Sequence, residues 1–239
     1  MIDRQLYDNF KEILRSELIP ALGCTEPGAI AYGASQARGL LGSMPESMEL
    51  WCSGNIVKNV KGVIVPNSGG MRGIEAAAVL GMLAGHSQPD DCDLEVLNSI
   101  TCDDISEAEK LLKEGFCQCH LAEDTPNLYI KVLVRGNGHE AQIIIEGSHT
   151  NITGRILDGK PIYSSASCSG DDMAEKLKDH LSVKKILQFA EALTEKDGRE
   201  LFSAQIRDNT AIAEEGLSGN YGARVGQTLL KTRDEGSVR

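Results

Sequence analysis

Two dipeptides constrain the middle of this chain more than any other feature, Asn137-Gly138 and Asp158-Gly159. Both residues of such a pair accept positive φ at little cost, which is what a two-residue hairpin turn demands. Leu128–Arg135 and Glu140–Glu146 flank Gly136-Asn137-Gly138, and Ile152–Leu157 and Lys160–Ser164 flank Asp158-Gly159. An antiparallel meander is therefore expected. Phe116–Leu121 reads as a further strand, as do Met48–Ser53 and Ile56–Val65, the last ended by Pro66.

The flanks follow a different period. Ile2, Leu6, Phe10, Ile13, Leu14 and Leu18 recur at helical spacing until Pro20 stops the helix. A second helix, about 26–41, carries Ala29, Gly33, Ala34, Ala37 and Gly39, small enough for close backbone packing. Thr25 suits its N-cap and Pro27 its first turn. Further helices are expected at Ile74–Ala84, Asp93–Ile100 and Ile105–Glu114, the last with Ser106 and Glu109 as a capping box. After a polar linker, Ser164–Gly170, one helix is marked by Val183, Ile186, Leu187, Ala190 and Leu193. Leu201, Ile206 and Ile212 mark another, and four glycines within 216–226 mark a loop or a helix start. The fold class is α+β: a small mixed-sheet domain over 45–165, with helical segments at 1–44 and 166–239. Gly236-Ser237-Val238-Arg239 offers no closing element, so either the helical part continues beyond it or the chain ends in an ordinary frayed tail.

Composition narrows the partners. The 239 residues include 24 Lys and Arg against 35 Asp and Glu, a net charge of −11. Such a surface repels phosphate backbones and anionic lipid, so neither nucleic acid nor membrane is expected as a partner. No apolar run reaches the ~18 residues that span a bilayer, and the amphipathic N-terminus is no signal peptide. The expected location is cytoplasmic. An odd count of seven cysteines then argues for thiols rather than a disulfide framework.

Three segments could carry chemistry. In Gly23-Cys24-Thr25-Glu26-Pro27, a cysteine precedes a helix N-terminus, whose dipole favours the thiolate that attacks electrophiles or binds iron or zinc. A buried cysteine in a turn is the alternative. Ser68–Gly73 opens a helix, where N–H groups hold a carboxylate or phosphate or simply make a turn. It matches neither nucleotide-binding glycine motif. Gly147-Ser148-His149-Thr150-Asn151 gathers groups that bind a carboxylate, move a proton or form a polar turn. Cys117-Gln118-Cys119-His120 reads as core, because both cysteines face one side of a strand and no second ligand pair lies at finger spacing.

Pro20–Pro27, Gly54–Asn59, Gly62–Pro66, Gly147–Ile152 and Glu215–Gly219 together resemble the iron–sulfur L-cysteine desulfidases and the related alpha chain of iron–sulfur L-serine dehydratases. The resemblance implies a [4Fe–4S] cluster with one open iron, with Cys24 as one of three thiolate ligands. The other ligands would lie in a C-terminal half or partner subunit, since no other cysteine here matches one. It implies β-elimination of sulfide or water from L-cysteine or L-serine, giving pyruvate and ammonia. His149 would transfer the proton or position the substrate, beside Thr150 and Asn151. Asn55, Lys58 and Asn59 would donate to the substrate carboxylate. The alternative is a non-catalytic amino-acid-binding or assembly module. If the helices at 2–41 and 171–235 belong to a largely helical catalytic part completed by an absent half, the chain is expected to expose apolar helix faces and self-associate. Nothing marks a Schiff-base lysine for a pyridoxal enzyme.

Overall fold

The structure is a computed structural model and describes residues 2–18, 20, 23–85, 94–162, 177–179 and 181–232. It is α+β. The described residues form eight α-helices and a six-stranded mixed sheet flanked by them. Contacts divide the chain into two compact units, Pro20–Asp172 and Met1–Ile19 with Met173–Arg239.

The sheet unit follows from the turns. Strands β1 (Ser47–Ser53), β2 (Cys117–Ala122), β3 (Tyr129–Gly136), β4 (His139–Glu146), β5 (Ile152–Leu157) and β6 (Lys160–Pro161) lie in the order β2-β1-β3-β4-β5-β6. The β1–β2 pair is parallel and every other pair antiparallel. Asn137 and Gly138 have φ of 53° and 76°, and Asp158 and Gly159 have 50° and 72°. Both hairpins thus turn with two consecutive positive φ values, the geometry that matches strand twist. Period-two alternation buries Met48, Leu50, Cys52, Ile130, Val132, Val134, Ala141, Ile143 and Ile145 on one face.

Helix α2 (Thr25–Leu41) is buried on all sides from Pro27 to Ala37. Gly33 backs onto Val132 and Ile145 of the sheet, where an added Cβ would meet each at 3.2 Å. Across α2, Ala31 lies against Gly81 of α4 (Ile74–Ala84). The small residues therefore let α2 fill a narrow slot between sheet and helix. Arg155 on β5 is 9% exposed and donates from Nη1 to the buried Gln36 Oε1 at 2.8 Å. Gln36→Met, which keeps the volume and removes the acceptor, should lower stability by about 1–3 kcal/mol in urea denaturation.

Several expected elements differ. Ile56–Val65 is not a strand: Gly54–Val60 is helix α3, and Ile64 makes only an isolated bridge to Arg72. Ile56, Val57 and Val60 fit helical spacing as well as alternation, and a short apolar run cannot separate the two. In 93–100 only Val96–Ser99 is helical, as one 3₁₀ turn, and residue 93 lies outside the described residues. Helix α5 (Cys102–Lys113) is capped earlier than expected, by Thr101 with Asp104, while the Ser106 hydroxyl bonds back to the Cys102 carbonyl. The linker Ser164–Gly170, Cys92, Cys168, His86, His180 and the chain end lie outside the described residues.

In the second unit, Asp3 caps α1 (Arg4–Glu17), whose Phe10 stacks on Phe189 of α6 (Val183–Ala192) at 5.2 Å between ring centroids. Asp197, near the start of α7 (Glu195–Ser218), accepts from Lys11, from the Thr194 hydroxyl at 2.7 Å and from Tyr7 at 2.8 Å. These donors, Lys11 first, hold its carboxyl well below the usual range. Helix α8 (Val225–Thr232) follows the glycine-rich loop, which begins only after α7 has run through Gly216.

Candidate functional site

Two tight backbone reversals aim the polar groups. Gly23 at φ 75° turns the chain into α2, leaving Cys24 as its N-cap, exposed and without a side-chain cap bond. Thr25 is the first helical residue rather than the cap. Gly147 at φ 80° turns the chain out of β4 and presents His149.

The centre of the group is Glu26, a residue that sequence reading did not single out. Its Oε2 accepts from Cys24 Sγ at 2.8 Å and from Thr25 Oγ1 at 3.3 Å, and its Oε1 accepts from Asn59 Nδ2 at 3.0 Å. It lies in the first turn of α2, where the helix dipole favours an anion. The donors, Cys24 first, outweigh burial and hold the Glu26 carboxyl below its ordinary value.

Thr25 Oγ1 also lies 3.2 Å from His149 Nε2. A hydroxyl has one proton, and we assign it to Glu26, whose carboxylate can only accept. His149 therefore donates its Nε2–H to Thr25, and Nδ1 is left as the basic nitrogen. Burial lowers the His149 pKa, and the nearby Glu26 charge only partly opposes it. The unfolded state, free of that burial, takes a proton more readily. His149's contribution to stability is thus intact above its ordinary pKa of about 6.5 and declines as pH falls below it. Proton NMR of the imidazole should show a midpoint below that ordinary value, and His149→Gln should remove this part of the acid-side loss.

The Cys24 thiolate expected from the dipole is reversed. Partial burial of the sulfur and its bond to the Glu26 carboxylate both raise the thiol, because an anion already occupies the helix end. Burial likewise pushes Cys117 up, and contact with Cys119 together with burial raises Cys52. Both are core thiols.

Of the sequence candidates, Cys24, Asn59 and His149 come together around Glu26 and Thr25. Asn55 is exposed on α3 one turn before Asn59 and on the same side of that helix, while Lys58, also exposed, lies one turn after Asn55 and points away from Asn59. Asn151 instead ties the turn, donating from Nδ2 to the Glu146 carbonyl at 3.0 Å. Thr150 is half-buried next to it. The signal for Glu26 was present: an acid in the first turn of a helix, beside a candidate cysteine.

A cubane needs several thiolates. Cys24 is the one described cysteine in this group. Among the described residues no group of three or more His, Cys, Asp or Glu is placed to hold a metal ion. The described residues alone do not fit such a cluster. No helix among them is long and apolar enough to cross a membrane.

Comparison with known proteins bears on the same question. A protein of Lachnoclostridium phytofermentans is 39% identical over 225 residues, covering 94% of this chain and 53% of its own length. One of Finegoldia magna is 40% identical over 227 residues (95% and 54%), and one of Treponema denticola 36% over 232 residues (96% and 53%). Each is named a UPF0597 protein. The chain spans about half the length of these relatives. No family model matches it, and no solved structure does.

That name prints no activity, substrate or cofactor. The expected likeness to iron–sulfur L-cysteine desulfidases and L-serine dehydratase alpha chains is corrected by it: over nearly the whole chain the similarity found is to UPF0597 proteins. The designations that rested on that likeness, an iron–sulfur lyase with a metal-bound cluster, go with it.

Proposed function

We propose that this chain supplies one wall of a cytoplasmic site that binds a small amino acid and transfers a proton on it. The observation that carries the reading is the relay from His149 through Thr25 to Glu26, assembled from α2 and the β4–β5 connection and steadied by Asn59 of α3. A neutral imidazole with a free Nδ1 next to a fixed carboxylate is a competent general base near neutral pH. Exposed Asn55 and Lys58 suit the substrate carboxylate, which a cation and an amide donor recognise by charge and hydrogen bonding. The five described cysteines are free thiols, in keeping with a reducing compartment. Abstraction of the α-proton is the step these groups serve, with L-serine and L-cysteine as the substrates to try first. The rest of the site would come from the half of the protein that this chain does not cover, or from a partner subunit.

The experiment is hydrogen–deuterium exchange at Cα of L-serine and L-cysteine in heavy water, followed by NMR, on a full-length relative. Enzyme-dependent washout is the expected result. Calorimetric binding without washout would instead favour a non-catalytic amino-acid-binding module, and neither binding nor washout would overturn the reading.

A further inference from the structure

Helices α6 and α7 carry lines of apolar residues, most of them exposed. On α6, Val183, Ile186, Leu187 and Ala190 recur at helical spacing, and all four are exposed, while Phe189 beside them is buried against α1. On α7, Phe202, Ile206, Ala213 and Leu217 fall on one line of the helix, separated by four, seven and four residues. Every residue from 203 to 218 is exposed, Ile206 at 63%. On α8, Val225 and Leu229 share a face, and that helix buries no residue.

Sixteen consecutive exposed helical residues are hard to account for in a chain standing alone. An isolated helix of that length is marginal in water, and helices in proteins draw their stability from a packed apolar face. A line of apolar residues this narrow is the seam by which one helix packs on another. The relatives supply the missing mass: they are similar along 94–96% of this chain, yet that covers only 53–54% of their length.

We infer that the stripes on α6, α7 and α8 are the docking surface for the other half of the longer relatives, presented either in the same polypeptide or as a separate chain. The occupant is a helical segment with a complementary apolar seam. Its core contacts are Leu187, Ile206, Leu217 and Leu229. This inference does not depend on the proton-transfer reading, and its test reads assembly rather than chemistry.

The test is co-expression of the tagged chain with the uncovered half of the Lachnoclostridium phytofermentans relative, with the complex measured by size exclusion and light scattering. A one-to-one complex is expected, with amide exchange across 195–232 slowed relative to the chain alone. Leu187→Glu with Ile206→Glu should weaken it by at least ~10-fold, as loss of central apolar contacts does. Both side chains are exposed, so neither change threatens folding. Ile64→Glu, an exposed apolar residue in the sheet unit, should leave the complex intact. The inference is overturned if no complex forms or if the double glutamate variant binds equally well. A chain that instead forms a homodimer sensitive to the same two substitutions would also overturn it, assigning the surface to a second copy.

Discussion

Gly81→Ala should destabilise the sheet unit by about 1–3 kcal/mol, and Gly81→Val by more, because inserted atoms in a filled core displace backbone. The sign is what makes the experiment informative. In an exposed helix interior, alanine is better than glycine by roughly 0.8–1.0 kcal/mol. Gly81 lies within α4, yet a Cβ there would overlap the backbone of Ala31 on α2. That neighbour is a main chain locked between α4 and the sheet, so it cannot rotate away as a side chain would. Gly216→Ala is the control. It is also helical, on α7, and nothing lies within 4 Å of its added Cβ. Urea denaturation should show loss for Gly81→Ala and a small gain for Gly216→Ala. A gain at both positions would mean that α2 and α4 do not pack at backbone contact.

The second large effect is expected at His149. His149→Ala should slow Cα exchange by about 10²–10⁴, the usual contribution of a positioned general base. Glu26→Gln should cost less, since it keeps the shape and can still accept from Asn59, but removes the charge that steadies the imidazolium formed on proton transfer. Cys24→Ser separates two roles for the sulfur. If Cys24 serves chiefly as a donor to Glu26, a serine hydroxyl replaces it and exchange falls less than ~10-fold, as for loss of a single hydrogen bond's worth of geometry. Loss as deep as that of His149→Ala would show that sulfur chemistry itself is needed and would displace His149 from the centre of the proposal.

Much of the scaffold was legible from local signals. The two-residue turns at Asn137-Gly138 and Asp158-Gly159 depend on backbone preferences that those residues carry anywhere, and both hairpins formed as expected. The small residues of α2 announced close packing, and it is there. Reading failed where two periods fit one segment, as in Ile56–Val60, and where a cap was chosen from side-chain type alone, as with Thr25 and Ser106. At the site, Cys24 and His149 were singled out by their own chemistry at a helix start and in a turn, and Asn59 only through the resemblance. Glu26 was not, since a glutamate in a first helical turn ordinarily needs no further role than meeting the dipole.

What the sequence determined by itself is therefore the list of elements and the residues able to carry charge or protons, because turn geometry, periodicity and side-chain chemistry are local properties. What only the tertiary structure decided is the state of those groups. The protonation of Cys24 and the tautomer of His149 depend on Glu26 lying within bonding distance of Cys24 and Thr25, and on Thr25 reaching His149 across 124 residues of chain. Electrostatic energy falls with distance through space, and no spacing along the chain encodes that distance.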